Sequence, residues 1–451
     1  MSTMLYGQNG LAGVSSWLTS APERRPSLQE DLRADLVIVG AGYNGLSTAL
    51  ELRARGIDAV VLERDFAGSG ASGRNAGYLA GALGLEFDLI IRRLGRERAA
   101  ALVGFYDEAV RHVEKLLPQH RIDCDYEPTG LLIASVHPGQ EARVRHQAEI
   151  GRELGTAARF LGQDEMRERA LPPAFLCGAL NEIGGTLDPG KYALGLRKAA
   201  IDAGVRLFEG SPVLEIDDGA PVRVRTQHGS VTADACVLAT NAYGPDLGFL
   251  ARTVLPIRVS AIETAPMSGE QREALGWPNR EGIVTAHFVL ESYRLTRRNT
   301  VLVSTKRLNY SYGSCAPEGR DAAACEVLEN LLRQRLPVLR DIPVNTQWSG
   351  WVTFSGDTIP VIGVEGARRN IFYASGCSGH GVATQTLMGV LLAERVQGKE
   401  HELESVFRRK VPKLPPEPLR WAVSKLLLSA ANFLDARTDR KVSRAQKSPR
   451  N

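Results

Sequence analysis

The feature that most constrains this chain is a glycine pattern, Gly40-Ala41-Gly42-Tyr43-Asn44-Gly45, set between an apolar run and a helically spaced segment. Residues 35–40 read Asp-Leu-Val-Ile-Val-Gly, the signature of a short strand buried on both faces of a parallel sheet. Between Gly45 and Arg55, Leu46, Ala49 and Leu50 recur at helical spacing, with Arg53 and Arg55 near the C-terminal end. Gly56 then stops the helix. Residues 59–63, Ala-Val-Val-Leu-Glu, form a second apolar strand. One βαβ unit therefore closes within about 30 residues, which places this part of the chain in the α/β class with a Rossmann-like sheet.

The spacing carries chemistry. Gly40 permits a tight turn, Gly42 lets backbone approach a pyrophosphate, and Gly45 lets helix and strand pack closely. The helix N-terminus attracts negative charge, with Asn44 in its first turn. Glu63 follows Gly42 by 21 residues, at the end of the second strand, where its carboxylate can accept both hydroxyls of a ribose; Arg64 adjoins it. A glycine pattern alone is common in loops; strand, helix and acid together point to a dinucleotide. Residues 68–77 add four glycines and two serines, with Ala71, Ser72, Arg74, Asn75 and Gly77 as candidate contacts. Arg74 can offset phosphate charge or face a ring, and Asn75 can hydrogen-bond it. A third turn, Gly376-Cys377-Ser378-Gly379-His380-Gly381, follows a strand and opens a helix at Val382, a second dipole site built of backbone N–H groups.

Composition narrows the class. The net charge of +4 is misleading, because residues 408–451 hold twelve Lys/Arg against three Asp/Glu. The rest is mildly acidic, so a nucleic-acid-binding body is not expected. Six scattered cysteines form no Cys-x-x-Cys or Cys/His ligand pattern, which favours reduced thiols and no metal site. No apolar run reaches membrane-spanning length, and no basic start followed by an apolar core marks a secretory signal, so a cytoplasmic protein is expected. Residues 1–34 read as an arm. Residues 419–436 predict an apolar-rich helix that packs on the body; membrane association is not expected, because Lys425 interrupts its apolar stretch. Residues 437–451 read as disordered. Elsewhere, 96–117, 189–204 and 320–335 predict helices, 122–136 a strand pair, and 255–305 several strands.

Together with Val237-Leu-Ala-Thr-Asn-Ala-Tyr243 and Ser378-Gly-His-Gly-Val382, these motifs resemble the D-amino-acid-oxidase-type FAD-dependent oxidoreductases, and within them the γ-glutamylputrescine oxidoreductases. Tyr293-Arg-Leu-Thr-Arg-Arg-Asn299 and the spacing from Trp348 to Pro360 fit the same branch. The resemblance covers roughly residues 15–410. It implies FAD, a second α+β substrate domain on a mixed or antiparallel sheet, and oxidation of a C–N bond. It also implies backbone contact of Val213 with the adenine. The expected organisation is an FAD-binding domain from 35–95, 150–253 and 345–410, a substrate domain from 96–149 and 254–344, and a C-terminal helix and basic tail from 411.

Departures from the family pattern shape the expected substrate. One branch places a carboxylate-binding Lys two residues after Gly-His-Gly; here that position is Ala383. Another places an Arg before Asp-x-x-Pro; here residues 351–355, Trp-Val-Thr-Phe-Ser, precede Asp357. A buried carboxylate without a cation is costly, so an amine fits better than a simple α-amino acid, unless Arg258, Arg294 or Lys306 serves instead. No Cys or His stands at either familiar flavin-attachment position, so non-covalent FAD is expected. The expected reaction is hydride transfer from a primary or secondary amine, such as a γ-glutamyl amine or polyamine, and hydrolysis of the imine to an aldehyde. O2 or another acceptor would take the electrons. His380, Tyr293 and Lys306 are the candidates for direct chemistry, with Glu291, Tyr310 and Tyr312 as further pocket candidates. A sarcosine-oxidase-like enzyme is one alternative; a dinucleotide-binding module without turnover, or with NAD(P), is another. The amine and the oligomeric state stay open.

Overall fold

The computed structural model describes residues 14–18, 22–82 and 86–447, with side chains to residue 442. Two large sheets organise them. The first has six strands, ordered Val361–Glu365, Ile371–Ser375, Ala235–Leu238, Leu36–Val39, Ala59–Leu62, Arg206–Phe208. Its central strands are parallel and its four-residue runs at 36–39, 59–62 and 235–238 are buried throughout. Such strands need helices on their faces. The helices Tyr43–Ala54 and Gly381–Arg395 supply one cover, packed closely enough that a Cβ on Gly389 would stand 2.8 Å from the Thr48 backbone nitrogen. The helix Pro189–Asp202 begins where expected, with Asp188 accepting the Lys191 N–H at 3.0 Å.

The second sheet has eight strands and is mixed: only Leu131–Ala134 and Gly282–Thr285 pair in parallel. Its longest pairing joins Val254–Thr264 to Val344–Ser355. The expected two-part architecture is therefore present, with a boundary correction. Residues 150–182 and 345–355 are expected in the dinucleotide unit, but Ala158–Leu161 and Gly178–Asn181 extend the second sheet through pairing with each other and with Leu131–Ala134, and Val344–Ser355 forms its edge; conversely Arg96–Gln119, expected in the substrate unit, packs against Gly381–Arg395 in the core of the dinucleotide unit. Short strands pair wherever a free sheet edge reaches them, which local pattern cannot show. Likewise the strand pair expected over 122–136 is one strand, Leu131–Ala134, with an isolated bridge at Glu127.

The two ends of the chain also differ from expectation. Part of the arm packs: Val14, Trp17, Leu18 and Leu28 are buried, and the Trp17 indole donates to the Asn75 carbonyl at 2.9 Å, while 23–26 and 29–31 are exposed. Residues 1–13 and 19–21 of the arm lie outside the described residues. The C-terminal helix does dock on the body, but it runs from Leu419 to Lys447, well into the segment expected to be disordered. Asp435, Asp439 and Val442 anchor the extension, and Ala, Arg, Lys and Gln are good helix formers. Residues 448–451 lie outside the described residues. No helix is long and apolar enough to cross a membrane among the described residues.

Candidate active site

A cavity of about 620 Å³ runs from the C-terminal ends of the parallel strands to the face of the eight-stranded sheet. This is the position where open α/β sheets bind ligands. At one end Gly40 turns with φ +101°, and a Cβ there would stand 2.7 Å from the Ala239 carbonyl oxygen. Gly42 caps the helix Tyr43–Ala54 without a side chain, so the N–H groups of its first turn receive no cap from that residue. A Cβ on Gly42 would meet Ser72 Oγ at 2.8 Å, and that oxygen already accepts the Tyr43 N–H at 3.0 Å. Gly45 does not line the cavity; a Cβ there would collide with the Gly40 carbonyl. It fixes the helix against the strand, as its spacing predicts.

Glu63 lines the cavity with both oxygens partly engaged: Oε2 accepts the Ala41 N–H at 2.8 Å and Oε1 the Asp65 N–H at 3.0 Å. Burial pushes its carboxyl above the ordinary value against those two donors. Each oxygen keeps a further lone pair for a hydroxyl donor. Arg64 stacks on the Tyr243 ring beside it, and Val213 lines the same end. Asn44 Oδ1, Thr240 Oγ1 and Gln385 Nε2 belong to cavity-lining residues, are buried, and have no hydrogen-bond partner among the described residues. Buried polar atoms without partners are rare in finished structures and mark places where a polar ligand completes the set.

Of the predicted contacts, Ala71, Ser72, Arg74, Asn75, Ser378, Gly379, His380, Gly381 and Val382 all line the cavity. Several do so differently from expectation. The Asn75 amide holds its own loop together, donating to the Ala71 and Ser72 carbonyls while Oδ1 accepts the Gly77 N–H. The Arg74 guanidinium donates to the Ser69 carbonyl at 2.9 Å and reaches the Ser349 carbonyl at 3.4 Å. Gly77 and Gly376 do not line the cavity. Gly77, at φ +78°, leaves room for the Arg294 guanidinium that passes beside it. Gly376, at φ +72°, donates its N–H to Thr353 Oγ1 at 3.1 Å, turning the chain between strand and helix. His380 is the N-cap of the helix Gly381–Arg395 and meets the Tyr106 ring edge-on.

Tyr293 and Lys306, expected to act on substrate, point elsewhere. Tyr293 is fully buried against Phe175 and donates to Glu291 Oε2 at 2.9 Å, and burial raises its phenol far beyond the physiological range. Lys306 reaches Glu291 and Asp439, each at 3.1 Å. Glu291 itself is buried under Arg335, Tyr310 donates to Glu417, and Tyr312 is exposed. A strand alternates its faces, and residues 291, 293 and 295 turn toward the core beneath the sheet while Ser292 faces the cavity. The alternative carboxylate clamps also turn away: Arg294 donates to the Leu187 and Ala76 carbonyls, and Arg258 to the Gly319 carbonyl.

The rest of the cavity wall is built from residues that sequence reasoning did not single out as pocket-lining. Tyr78, Phe288, Val289, Leu290, Leu308, Trp348 and Trp351 belong to it. Tyr78 OH donates to the Tyr293 carbonyl at 2.9 Å and the Trp348 indole to the Arg74 carbonyl at 2.8 Å, so both rings are fixed. Only period-2 alternation within 344–355 could have pointed to Trp348, and not to which face is wet. The lining Lys and Arg residues among the described residues are Arg64, next to Glu63, and Arg74, whose guanidinium is held by the Ser69 and Ser349 carbonyls.

Comparisons with known proteins agree with this geometry. Residues 35–395 match the FAD dependent oxidoreductase family, DAO. The chain is 31% identical over 396 residues to γ-glutamylputrescine oxidoreductase of Escherichia coli (strain K12), covering 87% of this chain and 90% of that protein. It is 28% identical over 394 residues to the probable oxidoreductase OrdL of Haemophilus influenzae, covering 86% and 88%. The crystal structure of glycine oxidase from Geobacillus kaustophilus superposes with a TM-score of 0.69 at 21% identity, over 84% of this chain and all of that one. The glycine cradle, the acid at the second strand and the long match to the family together identify the chain as a member of the DAO family of FAD-dependent oxidoreductases, enzymes that oxidise C–N bonds of amines and amino acids.

Proposed function

We propose that this enzyme oxidises a C–N bond of a primary or secondary amine whose α-carbon need not carry a carboxylate. One observation carries the reading: among the described residues no Lys lines the cavity and no Arg other than Arg64 and Arg74, and the Arg74 guanidinium is already engaged by the Ser69 and Ser349 carbonyls. Ala383 is fully buried away from it, and Arg258, Arg294 and Lys306 are all paired elsewhere. A substrate carboxylate entering the rest of the cavity would lose its water without gaining a charge partner. An amine binding as the neutral base loses far less. The similarity to γ-glutamylputrescine oxidoreductase supports an extended amine, whose distant polar group would reach the mouth of the cavity.

In this reading Gly40, Gly42 and the helix N-terminus at Tyr43 hold the pyrophosphate, and Glu63 holds the ribose. The N-terminus of the helix Gly381–Arg395 opens at the cavity wall, where its dipole would favour negative charge added to a bound flavin. Bound FAD supplies the two-electron acceptor. The chain's own residues orient and dry the amine: Trp348, Trp351 and Leu290 exclude water, and the Ser292 and Ser304 hydroxyls, joined at 2.5 Å, offer the polar wall. No general base is assigned, because nitrogen lone-pair donation drives loss of the adjacent hydride.

The test is anaerobic bleaching of the yellow protein across polyamines, γ-glutamyl amines, N-methyl amino acids, glycine and D-amino acids. Fastest bleaching by an amine without an α-carboxylate is expected. Faster bleaching by glycine, sarcosine or a D-amino acid would overturn the argument from missing cations.

A further inference from the structure

The C-terminal helix Leu419–Lys447 is amphipathic in the reverse sense for a docked helix. It faces the body through polar residues. Arg420 is buried and donates to the Pro415 carbonyl and to Ser314 Oγ at 2.9 and 2.8 Å. Asp435 is 2% exposed and accepts the Phe288 and Val289 N–H groups. Asp439 reaches Arg335 at 2.6 Å and Lys306 at 3.1 Å. Ser424 and Val442 complete the buried stripe.

The opposite face is apolar and open. Leu419, Val423, Leu426, Ala430 and Phe433 follow each other at spacings of four and three, one continuous helix face. Leu426 is 70% exposed, Leu427 64% and Phe433 60%. Of the eleven large hydrophobic residues exposed among the described residues, seven lie on this one helix. Scattered exposed leucines are ordinary; a concentrated apolar face is a binding surface.

The charges select the occupant. The helix's exposed charged residues among those described are all cations: Lys425, Arg437, Arg440 and Lys441. Its two acids, Asp435 and Asp439, are turned inward and paired. Two copies of this face laid together would oppose cations with no outward acid to meet them, which disfavours self-pairing. An apolar face carrying only positive charge, on a helix too polar to span a bilayer, matches the surface of an anionic membrane. In departure from the sequence expectation, we propose that this helix seats the enzyme on an anionic lipid surface, with Leu419, Val423, Leu426 and Phe433 entering the headgroup boundary and Arg437, Arg440 and Lys441 meeting lipid phosphates. Phe288, whose N–H is held by Asp435, lines the cavity, so the docked side of the same helix adjoins the cavity wall.

The test is flotation of the full-length yellow protein with vesicles of phosphatidylcholine alone or mixed with phosphatidylglycerol. Flotation with the mixed vesicles, weakened by salt, is expected. The double variant Leu426→Glu, Leu427→Glu changes only exposed positions and is expected to lose binding by tenfold or more, with flavin absorbance intact. Replacing Arg437, Arg440 and Lys441 by Gln is expected to weaken binding roughly fivefold per charge and to flatten its salt dependence. Absence of flotation, or equal flotation with the neutral vesicles, would overturn the proposal. So would a dimer in light scattering that the Leu426→Glu, Leu427→Glu variant converts to a monomer, because the face would then belong to a second copy.

Discussion

Replacing Asp435 by Ala tests how the C-terminal helix is tied to the cavity wall. Its carboxylate accepts two backbone N–H groups, Phe288 at 2.9 Å and Val289 at 2.8 Å, in a place that water does not reach. Both donors belong to a segment that lines the cavity. A hydrogen bond to a charged acceptor contributes about 1.5–3 kcal/mol, which sets a ceiling of about 3–6 kcal/mol for the pair. Alanine returns about 0.5 kcal/mol through helix propensity, and water entering the vacated volume returns more. A net loss of about 3 kcal/mol is therefore expected. It should appear as local opening of the helix and of residues 286–290 rather than as global unfolding. Hydrogen exchange of full-length, flavin-loaded protein reads it directly: protection across 286–290 should fall roughly a hundredfold. KM should rise more than kcat falls, because the wall positions substrate without touching the reacting bond. Asp435→Asn, which keeps an acceptor oxygen, should restore part of both. Unchanged protection over 286–290 in Asp435→Ala would refute the clamp.

Three further outcomes are expected. Gly42→Val should lower flavin content per protein severalfold, since even its Cβ would press on Ser72 Oγ at 2.8 Å; near-normal yellow colour in that variant would remove the turn from the cofactor site. Acid precipitation should leave the flavin in the supernatant and the pellet white, the result for a dissociable cofactor. Glu291 is one pH-dependent element, with Asp439, Asp357 and Glu209 also depressed: burial alone would raise its carboxyl, but Arg335, Lys306 and His287 bring it from 4.5 down to about 2. A depressed carboxyl stabilises the fold above its unfolded value and loses that stabilisation as pH falls from about 4.5 to about 2, a contribution of about 3 kcal/mol. Urea midpoints should drop through that acid window in the wild type and much less in Glu291→Gln; parallel profiles would mean another group governs the acid limb.

The dinucleotide half of the site was legible because its demands are local. A tight turn, a close backbone approach and an acid at the next strand end all fall within Gly40 to Glu63, and each requires a particular residue type. The reacting half was not. Its wall is assembled from Tyr78, Phe288, Leu290 and Trp348, residues that become neighbours only through sheet register. Tyr293 and Lys306 look chemical in sequence, but strand alternation and a buried ion cluster turn them away from the cavity. Gly77 shapes the loop and admits Arg294 without lining the cavity, and Asn75, which does line it, spends its amide on holding that loop together. The C-terminal helix was visible as an apolar pattern, yet its docking face is the polar one, because the acids that anchor it find partners far away in the chain.

The order of strands in the six-stranded sheet has a consequence for how the protein is made. Leu36–Val39 is flanked by Ala59–Leu62 and by Ala235–Leu238, and the latter waits for Ile371–Ser375. At about 5–20 residues per second, the first strand leaves the ribosome on the order of 20–70 s before the last one arrives. For about 10–40 s of that interval the Leu-Val-Ile-Val strand lacks its 235–238 neighbour, and for all of it the 235–238 strand lacks its own and the wall supplied by 374–382 does not yet exist. Free FAD cannot pull such a chain toward the native state, because a ligand stabilises only the form that holds its site. Flavin supply during synthesis should therefore matter little for the nascent chain, while holdase chaperones and low temperature should matter much, and flavin added to completed chains should raise the yield of yellow protein.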